Sequence, residues 1–266
     1  MRSGNTLKKS FFIIIIFTTL IPPLYFLLSA LGGVWSWPDL LPKTLSIRAV
    51  KFFTEEKALL LTSLFSSLLY SLSAVLLAFL VTFMPARWLS LNNFKGKEFL
   101  EGILLIPAML PPVTFAIGTH YLFLKWNLTE HFAGVVLILT AYTYPYMLRA
   151  LLSGYKAARK DYIICAGNLG AGTARILLTV ELPLLLPSII AGANIVFLAA
   201  FSDYFLVFLI GGGQVPSFLL SLFPLLNSSD RQIASFLNLV FLILPIVLFF
   251  ITDSIILQSY RKKKMI

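Results

Sequence analysis

The chain has 266 residues, of which 59% are hydrophobic and only 12% charged, with a mean hydropathy of +0.91. Soluble domains hold about 45 to 50% apolar and about 25% charged residues, so a water-soluble globule is excluded. The single cysteine, Cys165, and two histidines, His120 and His131, provide neither an internal disulfide nor a zinc cluster, and no metal or cofactor site is expected.

A helix needs roughly 20 apolar residues to cross a bilayer. Six charge-poor runs approach that length: Phe11 to Leu31, Ala58 to Met84, Gly102 to Leu124, Phe132 to Leu151, Leu184 to Ile210 and Gln232 to Leu257. The first follows Arg2, Lys8 and Lys9, as the core of a signal peptide does. Its 21-residue apolar stretch exceeds the usual length of such a core, so an uncleaved helix is predicted. The second is rich in Ser63, Ser66, Ser67, Tyr70, Ser71 and Ser73, which suit close helix packing. In the third, Pro107, Pro111 and Pro112 predict a break. The fourth carries Tyr142 and Tyr146 on one helical face beside Pro145; the alternatives for them are an interfacial aromatic belt and a lining role. The fifth contains Ser202 and Asp203, the acid assigned to a span interior, which needs a cavity or a partner there. Ser217 to Leu226 is apolar but too short to cross, so it is read as interfacial or re-entrant.

Placing the N-terminus inside leaves 15 of the 21 basic residues in cytoplasmic segments (Arg2, Lys8, Lys9, Arg87, Lys95, Lys97, Arg149, Lys156, Arg159, Lys160, Arg175 and Arg261 to Lys264). Lys43, Arg48, Lys51, Lys57, Lys125 and Arg231 lie outside. The net charge of +10 is thus mostly a topology signal with both termini cytoplasmic, and nucleic acid is not an expected partner. The basic tail ends the last span beside anionic lipid.

Residues 153–183, between the fourth and fifth runs, are the most polar internal stretch. Asp161 is expected to cap a short helix through Asn168, Gly170 to supply its left-handed end, and Thr173 to Val180 to form a second short helix before Pro183. Cys165 is read as a small packing residue. His120, Glu130 and His131 are expected to face solvent.

The strings Cys165-Ala166-Gly167-Asn168-Leu169-Gly170-Ala171 and Leu182-Pro183-Leu184-Leu185-Leu186-Pro187 resemble the EAA loop of ABC importer permeases. Ala166, Gly170, Ala171, Leu182, Pro183 and Pro187 match that pattern, while Ile164 and Cys165 stand where the family has glutamate and alanine. Ile106-Pro107, Pro111-Pro112 and Ala116-Ile117-Gly118 extend the resemblance upstream, and Phe201 to Gly213 downstream. The resemblance implies an all-α, six-span permease fold of type I in a bacterial inner membrane, with an extra first helix and external loop over 1–57, a core over 58–258 and a basic tail over 259–266.

It further implies a coupling helix, with Asp161, Ile164, Ala166, Leu169, Gly170 and Ala171 touching a cytoplasmic ATPase and Arg159, Lys160 and Arg175 as charged rim. The partners implied are two ATP-binding subunits, a second permease subunit and an external solute-binding protein. Solutes in such systems include iron, thiamine, polyamines, sulfate and molybdate, and Asp203 leans towards a cation. Asp203, Ser202, Tyr142 and Tyr146 are the candidate path residues. The chain has no G-x-x-x-x-G-K-[ST] phosphate loop and no catalytic motif, so it is read as a transport subunit and not an enzyme. A gradient-driven secondary transporter or channel is the alternative.

Overall fold

The computed structural model describes residues 3–33, 35, 39, 41–158, 161–228 and 230–262. Arg2, Arg159, Lys160, Lys263 and Lys264 lie outside them. In chain order the helices are α1 (Ser3–Leu31), α2 (Arg48–Glu55), α3 (Lys57–Leu91), α4 (Lys97–Leu105), α5 (Pro112–Lys125), α6 (Phe132–Ala157), α7 (Asp161–Asn168), α8 (Thr173–Ile176), α9 (Leu182–Phe201), α10 (Phe205–Gly211), α11 (Phe218–Leu226) and α12 (Arg231–Lys262). Among the described residues the only extended pairing is an isolated bridge between Gly32 and Leu45.

Five helical segments are long and apolar enough to cross a membrane: Ile14–Leu31, Lys57–Leu91, Phe132–Ala157, Thr173–Phe201 and Arg231–Ser254. The pair Lys97–Met109 and Pro112–Lys125 passes the same test only when taken together, as a broken span or a re-entrant loop bent by 97° at its junction. The bend has a local cause. Ile106–Met109 tightens to a 3-10 turn, Leu110 is extended, and Pro111 and Pro112 cannot donate to the preceding turn.

The chain divides into two compact units, Met1–Ser63 with Phe218–Ile246, and Leu64–Ser217 with Val247–Ile266. In the first, the loop after α1 is tied by backbone bonds from Gly33 to Thr44 (2.8 Å) and from Ser46 to Leu31 (2.9 Å). Gln232 at the start of α12 donates to the carbonyls of Ser46 (2.9 Å) and Ala30 (3.3 Å). Arg48 pairs with Asp230. The short apolar piece is helical: α11 buries Phe218 and Leu222, with Phe218 stacked on Phe241.

The second unit is organised around α6, the most enclosed span, with 67% of its apolar window buried. Met147, Leu148, Leu151, Leu152 and Tyr155 of α6 join Ala78, Phe83, Ala86 and Leu89 of α3 and Leu185 and Val196 of α9 in one buried cluster. The α6–α9 crossing is close because its contact residues are small. A Cβ on Gly192 would lie 2.9 Å from Ala150 Cβ, and one on Gly154 would lie 2.5 Å from Ser188 Oγ.

Two expectations about the fifth span are corrected. It does not run unbroken from Leu184 to Ile210, because the helix ends at Phe201 and restarts at Phe205. Local side-chain bonds compete with the ladder there: Ser202 Oγ donates to the Leu198 carbonyl (2.6 Å), and Asp203 Oδ1 accepts the Leu206 N–H (2.7 Å). Conversely, no break precedes Pro183. Residues Thr173–Phe201 form one continuous run whose middle, Leu177–Glu181, is a π turn. The wider π turn directly before Leu182-Pro183 relieves the ring clash and missing donor that would otherwise end the helix.

Candidate functional site

The segment between α6 and α9 builds a hairpin with a sharply defined tip. Gly170 has φ +79°, its N–H bonds to the Gly167 carbonyl (2.9 Å), and the Ala171 N–H reaches back to Ala166 (3.1 Å). These two bonds close a Schellman motif, with glycine in the left-handed position that a Cβ disfavours. Asp161 lies in the first turn of α7, where its carboxylate complements the positive end of the helix.

The hairpin has an inner and an outer face. Ile176 is buried, and Ile163 and Leu177 pack on the cluster around α6, anchoring its root. On the outside Tyr162 and Ile164 are each 58% exposed and Leu169 is 84% exposed. Ala166 and Ala171 are half-buried, Gly170 has open space around it, and Arg175 is exposed. Cys165 is exposed as well, which corrects its reading as a packing residue. An outward apolar tip beside small residues is a surface suited to a protein partner.

Asp203 was assigned as the acid inside a span; the structure adds another. Glu181, the last residue of the π turn, is 0% exposed. Its Oε1 accepts from Arg87 Nε (3.0 Å) and Nη2 (2.8 Å), and its Oε2 from Arg87 Nε (2.8 Å) and the Tyr155 hydroxyl (2.8 Å). The carboxylate thereby joins α3, α6 and the start of α9. Removing one partner of such a buried pair costs about 3 to 5 kcal/mol, because the other charge is left uncompensated. The visible sequence signal was a lone glutamate in the apolar stretch Ile176 to Leu186; its partner Arg87 lies 94 positions away.

Asp203 is 8% exposed and caps α10 through Leu206. Tyr70 and Tyr142 both lie within its electrostatic reach. Tyr70 is fully buried, with its hydroxyl 3.0 Å from Ser217 Oγ and 3.1 Å from Ser67 Oγ. Tyr142 donates to the Leu110 carbonyl at the broken span (3.2 Å) and its ring lies 5.4 Å from Phe115. Tyr146 is half-buried against the α6 cluster, whereas Ser202 is exposed. Asp203, Tyr142 and Tyr70 thus form one polar neighbourhood beside two helix breaks. Glu130 and His131 are exposed as expected, but His120 is half-buried with an enclosed Nδ1, because it sits within α5 rather than on the following loop.

These features define a multi-pass helical membrane protein with a structured hairpin between two closely crossing spans. Residues 78–263 match the family described as binding-protein-dependent transport system inner membrane component, and the chain belongs to that family, one of transport components and not of enzymes. It is 30% identical over 152 residues to the molybdenum transport system permease protein ModB of Haemophilus influenzae, covering 52% of this chain and 63% of that protein. The spermidine/putrescine transport system permease protein PotC of the same organism is 25% identical over 175 residues, covering 66% and 68%. A probable sulfate transport system permease protein cysT of Helicosporidium is 24% identical, covering 73% and 72%. The chain thus spans less than two thirds of the ModB relatives, with 63% covered in Haemophilus influenzae and 59% in Mycobacterium bovis. The fold is also that of a chain in the crystal structure of a bacterial ABC transporter involved in the import of the acidic polysaccharide alginate. That match has a TM-score of 0.74 and 15% identity and covers 95% of this chain and 96% of that one.

Proposed function

We propose that the chain is the membrane-spanning permease subunit of an ATP-driven importer. The hairpin tip carries this reading. It offers exposed Ile164 and Leu169 around a glycine turn and is rooted through Ile163 and Leu177 on the buried cluster of α6 and α9. A partner that grips the tip has leverage on the spans. In this reading Asp161, Ile164, Ala166, Leu169, Gly170 and Ala171 meet a cytoplasmic ATPase, one on each of two permease subunits. Both termini then face the cytoplasm of a bacterial inner membrane, and an external binding protein delivers the solute.

The organisation that goes with it is an additional first helix over 1–57, a permease core over 58–258 and a basic tail over 259–266. Asp203, Ser202, Tyr142 and Tyr146 line or gate the path. The solute proposed is a small charged one from the group of iron, thiamine, polyamines, sulfate and molybdate. The polar neighbourhood of Asp203 supports a cation, since an anion would meet a carboxylate enclosed in a poorly solvated site.

Affinity purification from native membranes tests the reading. Recovery of an ATP-hydrolysing subunit is expected, and its loss in Leu169→Asp is expected with it. A parent protein that recovers no ATPase, with uptake that follows an ion gradient, would replace the importer with a secondary transporter.

A further inference from the structure

The helix Thr173–Phe201 connects the hairpin to a membrane span, and its weakest point is the π turn Leu177–Glu181. Helices bend at π turns, because one residue more per turn loosens the regular ladder. Force applied at the tip would be lost if the helix folded there. The one fully enclosed carboxylate of the turn, Glu181, is held by a forked Arg87 and by Tyr155, from two other helices. The α7 helix packs mainly on α8 and the π turn, with Ile163 touching the cluster around α6.

We propose that Arg87, Glu181 and Tyr155 are positioning residues that stiffen the π turn, so that the hairpin and helices α3, α6 and α9 move as one body when a partner pulls on the tip. The inference rests on the permease reading above and goes beyond it, because it concerns how motion is carried and not which partner supplies it. Four short hydrogen bonds to two oxygens leave the carboxylate fully satisfied and directionally fixed. A planar guanidinium provides that fixation where an ammonium would not.

The test uses the purified assembly with its ATPase in lipid discs. Nitroxide labels go on the native Cys165 and on a cysteine replacing Ile195, which is 49% exposed on α9. Pulsed EPR then reads the distance before and after trapping with MgATP and vanadate. In the parent the distance stays constant on trapping. In Tyr155→Phe, which deletes one hydroxyl, the distribution should broaden by about twofold and shift on trapping, as for two bodies that no longer move rigidly.

The pair Arg87→Met with Glu181→Met separates coupling from folding, since apolar replacement of a buried ion pair is often neutral or stabilising. It should assemble normally, keep ATP hydrolysis within about twofold of the parent and show the same broadening. An unchanged distance in both variants overturns the inference while leaving the permease reading intact. So does failure of every variant to assemble, which would make the cluster a folding element only. A parent that recovers no ATPase refutes the permease reading instead.

Discussion

Gly192→Ala should destabilise the protein, although alanine is the better helix former. The new Cβ would sit 2.9 Å from Ala150 Cβ, 2.8 Å from Met147 Sδ and 3.5 Å from Met147 Cα. Carbon pairs rest at about 3.5 to 4.0 Å, so α6 and α9 must part locally by roughly 0.6 to 1 Å. Ala150 has no rotamer with which to yield, and Met147 is fully buried. Overpacking of this kind costs about 1 to 3 kcal/mol. The gain in helix propensity returns at most about 1 kcal/mol, leaving a net loss of up to about 2 kcal/mol.

Two variants check the cause. Gly102 has nothing within 4 Å of a Cβ, so Gly102→Ala should be neutral or slightly stabilising. Ala150→Gly combined with Gly192→Ala should show a favourable interaction of about 0.5 to 2 kcal/mol relative to the sum of the single changes. Reversible unfolding in mixed detergent and SDS micelles, followed by far-ultraviolet circular dichroism, measures these variants, the parent and the Ala150→Gly single variant, five proteins in all. A Gly192→Ala protein as stable as the parent, with no favourable interaction in the double variant, would refute the close crossing, whatever happens to transport.

Gly170→Val should lower recovery of the ATPase, since a left-handed residue with a Cβ carries about 1 to 2 kcal/mol of strain. Gly170→Asn should be milder, and equal behaviour of the two in pull-down would remove backbone conformation as the cause. Leu169→Asp leaves the fold alone, because the side chain is 84% exposed, yet should weaken ATPase recovery by at least about tenfold if the tip is a binding hot spot. Asp203→Asn keeps a good cap for α10 and removes the charge, so uptake should fall while protein level holds; Asp203→Ala should also lose about 0.5 to 2 kcal/mol of stability in the same micelle titration. Uptake by Asp203→Asn equal to the parent's would reduce Asp203 to its cap.

Hydropathy and local chemistry made much of the fold legible. The charge-poor runs located the helices because a span is apolar on its outward side as well as its packed one, as on α3 with exposed Leu72, Leu76 and Leu80 across from buried Ala74 and Ala78. The hairpin was legible for a different reason: a Schellman turn involves neighbours in sequence, so Ala166, Gly170 and Ala171 carry it in one short string. The prolines of the third span likewise announced their own bend. In the fifth span hydropathy alone does not show the break after Phe201, although Ser202-Asp203 ahead of an apolar run has the chemistry of a helix start.

The Glu181 cluster was not legible, because its meaning depends on a partner from another helix. An acid in an apolar stretch reads equally as a boundary residue, a path residue or half of an ion pair. Only the π turn settles its direction: the added residue turns Glu181 away from the outward side, where Leu178 is 63% exposed, and into full enclosure beside Arg87 and Tyr155. Asp203, by contrast, bonds within three residues, accepting the Leu206 N–H of the helix it precedes. The two buried acids therefore differ in what a change of conformation costs them. Moving Glu181 relative to α3 or α6 breaks charge-assisted bonds, which makes that junction rigid. Moving Asp203 together with α10 keeps its bond to the Leu206 N–H, so a bend at Ser202–Tyr204 leaves that cap intact.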